Sequence, residues 1–218
     1  MDPSAPTPIV FPDTEIGADA EIDPYVIIGR PPRGAAPGEF CTVLGSCCTL
    51  RSHTVIYAGN AIGDRFQTGH HVTIREHNTI GSDVSIGTGS VIEHHISIGN
   101  GVRIHSRAFI PEYTVLEDGC WIGPGVVATN ALHPLCSRAK DCMKGPTVRR
   151  GAKIGANVTL LPGVEIGAGA LVGAGSVVVD DVPPGTVVAG NPARVVKRTS
   201  DLRCHAGLVS EPYPEVRE

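Results

Sequence analysis

The sequence predicts an all-β fold made of many short strands, and three observations carry this prediction. Large apolar residues recur every six positions, which fits neither the 3.6-residue period of a helix nor the two-residue alternation of an ordinary strand. Aromatic residues make up only 4% of the 218-residue chain. Glycine, which permits tight turns, occurs 27 times. Together these features indicate short strands joined by tight corners around a thin core of Ile, Val, Leu and Ala.

The six-residue repeat runs without a slip through residues 44–128. Thirteen of its fifteen anchor positions are Leu or Ile. The anchors are Leu44, Leu50, Ile56, Ile62, Thr68, Ile74, Ile80, Ile86, Ile92, Ile98, Ile104, Ile110, Leu116, Ile122 and Ala128. A small or β-branched residue usually stands four positions after each anchor. We therefore expect each short strand to point one large side chain into the core.

The flanking segments extend or interrupt this register. Further anchors are Val10, Ile16, Ile22 and Ile28 on one side and Val148, Ile154, Leu160, Ile166, Val172 and Val178 on the other. Residues 29–43 are rich in glycine and proline, and residues 129–147 are polar, so both segments are predicted to be loops. Residues 1–198 then form one domain. The polar residues 199–218 form a C-terminal tail, expected to be a short helix or a poorly ordered end.

Charge and composition argue against several classes of protein. The net charge of −4 offers no basic surface for nucleic acid, and no apolar run approaches the roughly 20 residues of a membrane span. The N-terminal sequence lacks the pattern of a signal peptide. We expect a cytoplasmic protein in which most cysteines are reduced and buried. The seven cysteines are Cys41, Cys47, Cys48, Cys120, Cys136, Cys142 and Cys204.

The repeat resembles the hexapeptide repeat of the left-handed parallel β-helices of an acyltransferase family, over roughly residues 9–190. In that family three hexads make one triangular coil, so residues 18 apart stack in columns, and neighbouring coils lie about 4.8 Å apart. The segment "DDVPPGTVVAGNPARVVKR" is similar to the closing segment of the same enzymes. The resemblance implies that residues 1–198 are an all-β, left-handed parallel β-helix with acyltransferase function.

One corner of such a coil differs from the other two. Two corners are rich in glycine, as expected for turns that need a positive φ angle, whereas the corner that follows Ile56 and every third anchor after it has almost none. Its polar residues form two columns: Glu76, His94, Glu112 and Asn130 in one, and His77, His95 and Tyr113 in the other. The 129–147 loop leaves from the same corner. A whole column of ionisable side chains favours a functional site over a set of solvated turns.

Two further resemblances offer two candidate general bases. The segment "VIEHHISIGNGVRIHSRA" is similar to the part of bacterial nucleotide-amino-sugar N-acetyltransferases that carries their catalytic His, which falls on His94. His95 occupies the position of the acidic residue in that family, so Glu76 or Glu112 would have to orient His94 instead. The segment "GPGVVATNALHP" resembles sugar O-acetyltransferases and places their base on His133. A histidine suits either role because it is neutral near pH 7 and accepts a proton well.

The acyl donor and the assembly are implied by resemblance alone. The donor is acetyl-CoA, bound along the last coils between two subunits of a homotrimer, and no metal is required. The segments "GANVTLLPG" and "GAGALVGAGSVV" match that region. The implied donor-binding residues are Gly155, Ala156, Gly173 and Ala174 as backbone contacts, with Arg194 and Lys197 toward the nucleotide phosphates. The acceptor would be an amino group of a small-molecule sugar or nucleotide-linked sugar.

Several different functions remain open on the sequence alone. Loop residues His133, Cys136 and Cys142 are soft metal ligands, although a fourth ligand is not evident. A zinc carbonic anhydrase on a left-handed β-helix would use His70 and His105, but Ile110 stands where a third His is expected. The sequence also fits a sugar O-acetyltransferase, or a β-helix that acts only as an assembly scaffold. The polar corner and its loop argue against the scaffold.

Overall fold

The computed structural model of the chain describes residues 6–213, and these form a triangular prism of short parallel strands. Three sheets make up its faces, which we name A, B and C in the order in which the chain first visits them. Residues 1–5 of the predicted domain and residues 214–218 of the predicted tail lie outside the described residues.

The strands follow each other around the prism in a fixed order, from face A to face B to face C. Face A contains β1 (Ile9–Val10), β4 (Ile27–Arg30), β7 (Val55–Tyr57), β10 (Thr73–Ile74), β13 (Val91–Ile92), β16 (Phe109–Ile110), β19 (Val127–Ala128), β22 (Thr159–Leu160) and β25 (Val177–Val178). Face B contains β2 (Thr14–Ile16), β5 (Thr42–Leu44), β8 (Ala61–Ile62), β11 (Thr79–Ile80), β14 (Ser97–Ile98), β17 (Val115–Leu116), β20 (Thr147–Val148) and β23 (Glu165–Ile166). Face C contains β3 (Glu21–Ile22), β6 (Thr49–Leu50), β9 (Gln67–Thr68), β12 (Ser85–Ile86), β15 (Arg103–Ile104), β18 (Trp121–Ile122), β21 (Lys153–Ile154), β24 (Leu171–Val172), β26 (Thr186–Gly190) and β27 (Ala193–Arg198).

The register of these sheets confirms that three hexads make one coil. In face A, Ile92 pairs with Ile74 on one side and with Ile110 on the other, each 18 residues away. Across the 129–147 segment the spacing lengthens, so that Ala128 pairs with Leu160 and the columns continue in register. At the end of the prism, β26 and β27 form an antiparallel hairpin that closes face C.

The anchors fill the inside of the prism, as the repeat predicts. All fifteen anchors from Leu44 to Ala128 are buried. The smaller residues that follow them at the fourth position, such as Val72 and Ser90, are buried as well. Val10 is 46% exposed because it belongs to the first coil, which has a neighbouring coil on one side only. Apolar burial along one continuous column is the main stabilising contribution to this fold.

The glycine-rich corners need glycine for two reasons, of which the sequence suggested only the positive φ angle. Gly81 and Gly99, directly after their anchors, do not have positive φ angles. A Cβ added to Gly99 would lie 2.7 Å from the backbone nitrogen of Asp118 in the next coil, so glycine is needed there for close packing of coils. The left-handed conformation falls two residues later, where Gly101 has φ 66° and the equivalent Asp83 has φ 61°.

Both predicted loops leave the prism at the corner between faces A and B. The first connects β4 with β5, so its strand-free part is residues 31–41, shorter than the predicted 29–43. The second connects β19 with β20 and contains one 3₁₀ turn, Ala139–Asp141. Both helical segments found among residues 6–213 are single 3₁₀ turns, and neither has the length or the apolar character to cross a bilayer.

Two minor expectations need correction. The tail begins with one 3₁₀ turn, Thr199–Asp201, and continues as turns and bends to Tyr213. All seven cysteines are free, but only Cys48 and Cys120 are buried, so the expectation that most cysteines fill the core is wrong. The remaining cysteines lie on loops and turns, where the hexad register does not direct their side chains inward.

Candidate active site

Three successive polar corners between faces A and B lie between the two loops. Their sequences are Arg75-Glu76-His77-Asn78, Glu93-His94-His95-Ile96 and Pro111-Glu112-Tyr113-Thr114. The backbone of the first corner is held from inside: the buried Asn78 donates to the Arg75 carbonyl at 2.8 Å and accepts from the Ile96 N–H at 2.8 Å. Rigid corners of this kind place the side chains that point outward from them.

His94 lies in the middle of this group and contacts a carboxylate of the next coil. Its Nε2 lies in direct contact with Glu112 Oε1. Its other nitrogen, Nδ1, is buried and has no hydrogen-bond partner among residues 6–213. With Glu112 ionised, Nε2 carries the proton and Nδ1 holds the lone pair. Asn130, at the start of the second loop, donates to Glu112 Oε2 at 3.4 Å and extends the column.

The second carboxylate of the predicted column, Glu76, has a different partner. Arg75 donates to both of its oxygens at 2.9 Å, and the same guanidinium lies 3.5 Å from Glu93 Oε2. Burial alone would raise the pKa of Glu76, but the Arg75 hydrogen bonds and the charges of Arg75 and His94 hold that pKa below its ordinary value. Glu76 therefore stays ionised beside His94, and Glu112 is the carboxylate in direct contact with the imidazole.

The second predicted column is a stack of rings. His77 and His95 lie 5.4 Å apart with an interplanar angle of 9°, and His95 and Tyr113 lie 5.9 Å apart with an angle of 12°. All three residues adopt the left-handed backbone conformation. Partial burial and the neighbouring His94 and His77 lower the pKa of His95, which favours its neutral form.

A cleft of ≈ 360 Å³ opens beside these columns. One wall consists of Glu76, His77, His94 and His95, and the other is formed by residues 32–40 of the first loop. The sequence analysis did not include this loop in the site. Counting anchors could have found it, because Ile28, the last anchor before the loop, belongs to the same column as Ile56.

His133 lies apart from this arrangement. It is exposed on the second loop, and its only described hydrogen bond is through its backbone carbonyl, from Cys136 N–H at 3.2 Å. Within residues 6–213, neither the His133 loop nor the pair His70 and His105 belongs to a group of three metal-ligating side chains. His70 accepts or donates a hydrogen bond with Ser52 at 2.8 Å.

Only one such group occurs in the described part of the chain, formed by Glu93, His94 and Glu112. The Arg75 guanidinium next to Glu93 already compensates part of its negative charge. This group is therefore part of the polar corner described above.

A second cleft, of ≈ 500 Å³, lies on the outer side of face C. Three of the four small residues predicted at the donor site line it, namely Gly155, Gly173 and Ala174. Its other lining residues are Gly119, Trp121, Lys153, Leu171, Val172 and Tyr213. Ala156 is absent from this lining.

Lys153 is the basic residue of this second cleft, and sequence reasoning missed it. Its Nζ donates to the Gly151 carbonyl at 2.7 Å and lies 4.8 Å from the centre of the Tyr213 ring. Burial lowers its pKa. By contrast, the predicted phosphate ligands Arg194 and Lys197 are exposed on β27 and outside the lining, and Arg194 lies 3.4 Å from Asp180. Nothing in the hexad pattern distinguishes Lys153 from other outward-facing residues.

Two segments of the chain match a known family of repeat proteins. Residues 79–112 and 145–180 match the family described as "Bacterial transferase hexapeptide (six repeats)". The chain carries the bacterial transferase hexapeptide repeat. The prediction of an all-β, left-handed parallel β-helix built from hexapeptide repeats is thereby confirmed.

A curated relative matches part of this chain. The 2,3,4,5-tetrahydropyridine-2,6-dicarboxylate N-acetyltransferase of Staphylococcus aureus (strain bovine RF122 / ET3-1) is 39% identical over 82 residues, which cover 38% of this chain and 32% of that enzyme. The chain thus matches about a third of that relative's length.

Two solved structures show the same fold. The Arabidopsis UDP-N-acetylglucosamine acyltransferase superposes with a TM-score of 0.60 at 19% identity, covering 91% of this chain and 74% of that one. The polySia-specific acetyltransferase NeuO gives a TM-score of 0.53 at 20% identity, covering 88% and 86%. At this level of identity the likeness concerns the fold of the hexapeptide-repeat prism.

Proposed function

We propose that the chain transfers an acyl group, most simply acetyl, from a CoA thioester to an amino group of a sugar or nucleotide-linked sugar. The observation that carries this proposal is the His94 imidazole, placed on a rigid corner, bonded through Nε2 to Glu112 and left without a partner at Nδ1. A neutral imidazole held by a carboxylate is suited to general-base catalysis. The relative matched over the repeat is named an N-acetyltransferase, which favours an amine over a hydroxyl acceptor.

In this proposal His94 and Glu112 act on one proton, which the acceptor amine loses when it is acylated. As the acceptor nitrogen forms its bond to the acyl carbon and the bond from that carbon to sulfur breaks, His94 takes the proton that the nitrogen loses and the sulfur leaves as a thiolate. The same proton then passes from His94 to the sulfur, which gives the free thiol and returns the imidazole to its neutral form. Glu112 stabilises the imidazolium that forms. Nδ1 is buried in the single chain, so the proposal requires the cleft to open onto this nitrogen when the acceptor binds.

The second cleft fits a CoA thioester. When bound, this donor supplies the activated acyl group. The cleft combines small residues and the apolar surfaces of Trp121 and Leu171, which suit a slender pantetheine arm, with one amine, Lys153, for a polar group. Gly155, Gly173 and Ala174 keep the groove open, and Ala156, Arg194 and Lys197 remain weaker candidates for contacts with the donor.

The positions of the two clefts support the homotrimer that the resemblance implies. His94 lies at the corner between faces A and B, whereas the donor cleft lies on face C, which is opposite that corner in the same prism. In this proposal a complete site combines the corner of one subunit with face C of the next. A head-to-tail contact of this kind gives a ring, such as a trimer, when its rotation closes. Phe109 and Val127, on the outer side of face A beside the corner, are 37% and 42% exposed and suit burial in this contact.

Thermal unfolding with candidate ligands tests the proposal. Acetyl-CoA is expected to raise the unfolding temperature, and acetyl-CoA with amino sugars or amino-sugar nucleotides is expected to release free CoA thiol. The dicarboxylate substrate named for the relative is included as an acceptor. Stabilisation by zinc with no effect of acetyl-CoA would contradict the proposal and favour a hydratase.

A further inference from the structure

We propose that the first loop binds the acceptor and selects amines that also carry an anionic group, with Arg33 binding the carboxylate or phosphate and Phe40 packing against the acceptor's ring. This inference rests on the proposed function for its identification of the ligand as the acyl acceptor. It is drawn from the cleft of ≈ 360 Å³, in which loop residues 32–40 face Glu76, His77 and His94. A cavity of this size holds one small ring with its substituents.

The loop is fixed at both ends, so its residues have defined places opposite His94. At its start the Arg30 carbonyl accepts from the Ala58 N–H at 2.9 Å, and at its end the Thr42 N–H donates to the Asp13 carbonyl at 2.9 Å. Within the loop, Glu39 Oε2 accepts from the Ala36 N–H at 2.8 Å. A segment held in this way can form a preorganised wall.

Phe40 joins this wall to the polar corner. Its ring meets His77 edge-on, with 4.7 Å between ring centres and an interplanar angle of 84°. His77 lies over Gly59, where an added Cβ would be 2.5 Å from its Nδ1, so the glycine gives the imidazole its room. The two rings together offer an aromatic surface against which a flat or puckered ring can pack.

In this inference Arg33 supplies the positive charge that binds the acceptor's anionic group. It lines the cleft and has no hydrogen bond or ion pair with another side chain among residues 6–213. The carboxylates of the same cleft are already engaged, Glu76 by Arg75 and Glu39 by the loop backbone. An uncompensated guanidinium in a concave site binds carboxylates and phosphates in preference to neutral groups. Since His94 receives the amine, the acceptor has to carry both an amine and an anion.

The experiment compares three amino sugars that share one ring and one amine: glucosamine, UDP-glucosamine and 2-amino-2-deoxyglucuronate. Their binding to the full chain is measured by calorimetry, for the wild type, Arg33→Gln and the matched charge control Arg30→Gln. Arg30 is exposed at the end of β4 and outside the cleft. We expect tighter binding of an anionic probe than of glucosamine, and a loss of about tenfold or more for that probe in Arg33→Gln only. The probe that responds identifies the anion as a diphosphate or a carboxylate.

Two results would overturn the inference: glucosamine binding as tightly as both anionic probes, or equal losses in Arg33→Gln and Arg30→Gln. The proposed function fails separately, through a wild type that releases no CoA thiol from acetyl-CoA with any acceptor. If anionic amines still bind through Arg33 in that case, the loop is an anion-selective binding wall without acyl transfer.

Discussion

At the scale of single residues, the structure separates the two histidines that the sequence offers as candidate bases, of which the sequence favours His94 as the base and His133 as an acceptor-binding residue. His94 is placed by a rigid corner, bonded to Glu112 and adjacent to the charged Glu76, whereas His133 is exposed on the second loop. A general base has to be held in position and to have its charged form stabilised, and His94 meets both requirements.

The first prediction follows from this difference. His94→Asn is expected to lower kcat by about 10²–10⁴-fold with little change in the KM of the acceptor, because a general base acts in the transition state. The measurement is steady-state release of free CoA thiol. His133→Asn serves as the comparison and is expected to raise chiefly the acceptor KM. If His133→Asn abolishes turnover and His94→Asn is nearly wild type, the enzyme works as the O-acetyltransferases do.

His95 gives a second prediction, on pH. Its folded-state pKa is lowered, so the unfolded chain binds the proton more readily than the folded one. Its contribution to stability is therefore fully present above the unfolded pKa of about 6.5 and is lost as the pH falls through the lower folded pKa. The groups that face it are His94, His77, Glu112, Glu76 and the Tyr113 ring.

Urea unfolding between pH 8 and pH 5 measures this effect. The free energy of unfolding of His95→Asn is expected to fall less steeply with decreasing pH than that of the wild type. Asn is chosen because it tolerates the left-handed conformation of residue 95, at φ 56°. Parallel pH profiles of the two proteins would show that His95 does not couple proton binding to folding.

At the scale of the coil, the corner at residues 99–101 combines two glycine requirements that a sequence pattern cannot separate. Gly99→Ala is expected to destabilise the fold by about 1–3 kcal/mol, because the new Cβ meets the backbone of the next coil at 2.7 Å and the coils have to shift. Gly101→Asn, two residues further, is expected to cost at most about 1 kcal/mol. Nothing lies within 4 Å of an added Cβ there. Denaturant unfolding of the two variants is the measurement, and a larger loss for Gly101→Asn would reverse the assignment.

At the scale of the whole molecule, the proposed site needs two subunits. We expect His94→Asn and Ala174→Trp to be nearly inactive separately, the first through loss of the base and the second because an indole at the exposed Ala174 fills the donor cleft. Refolded as a 1:1 mixture, they are expected to recover about one quarter of the wild-type activity, since one quarter of the interfaces join an intact corner to an intact cleft. No recovery in mixed trimers would place the whole site within one chain.

The sequence alone determined the strands, the core and the columns. The six-residue spacing of large apolar side chains predicted short strands and the core. The resemblance to hexapeptide-repeat β-helices supplied the three hexads per coil that place Ile74, Ile92 and Ile110 in one column. Stacking of His77, His95 and Tyr113 follows from the same arithmetic. Wherever each coil repeats the one before it, the periodicity of the sequence is enough to predict which residues stack.

Only the tertiary structure decided what depends on contacts between segments without the repeat. It assigned Glu112 to His94 and Glu76 to Arg75, because two carboxylates at equal sequence spacing compete for partners in space. It brought the first loop over the polar corner, and it placed the second cleft on face C, opposite His94. Loops have no period, and their positions are set by a few hydrogen bonds and ring contacts that appear only once the prism has formed.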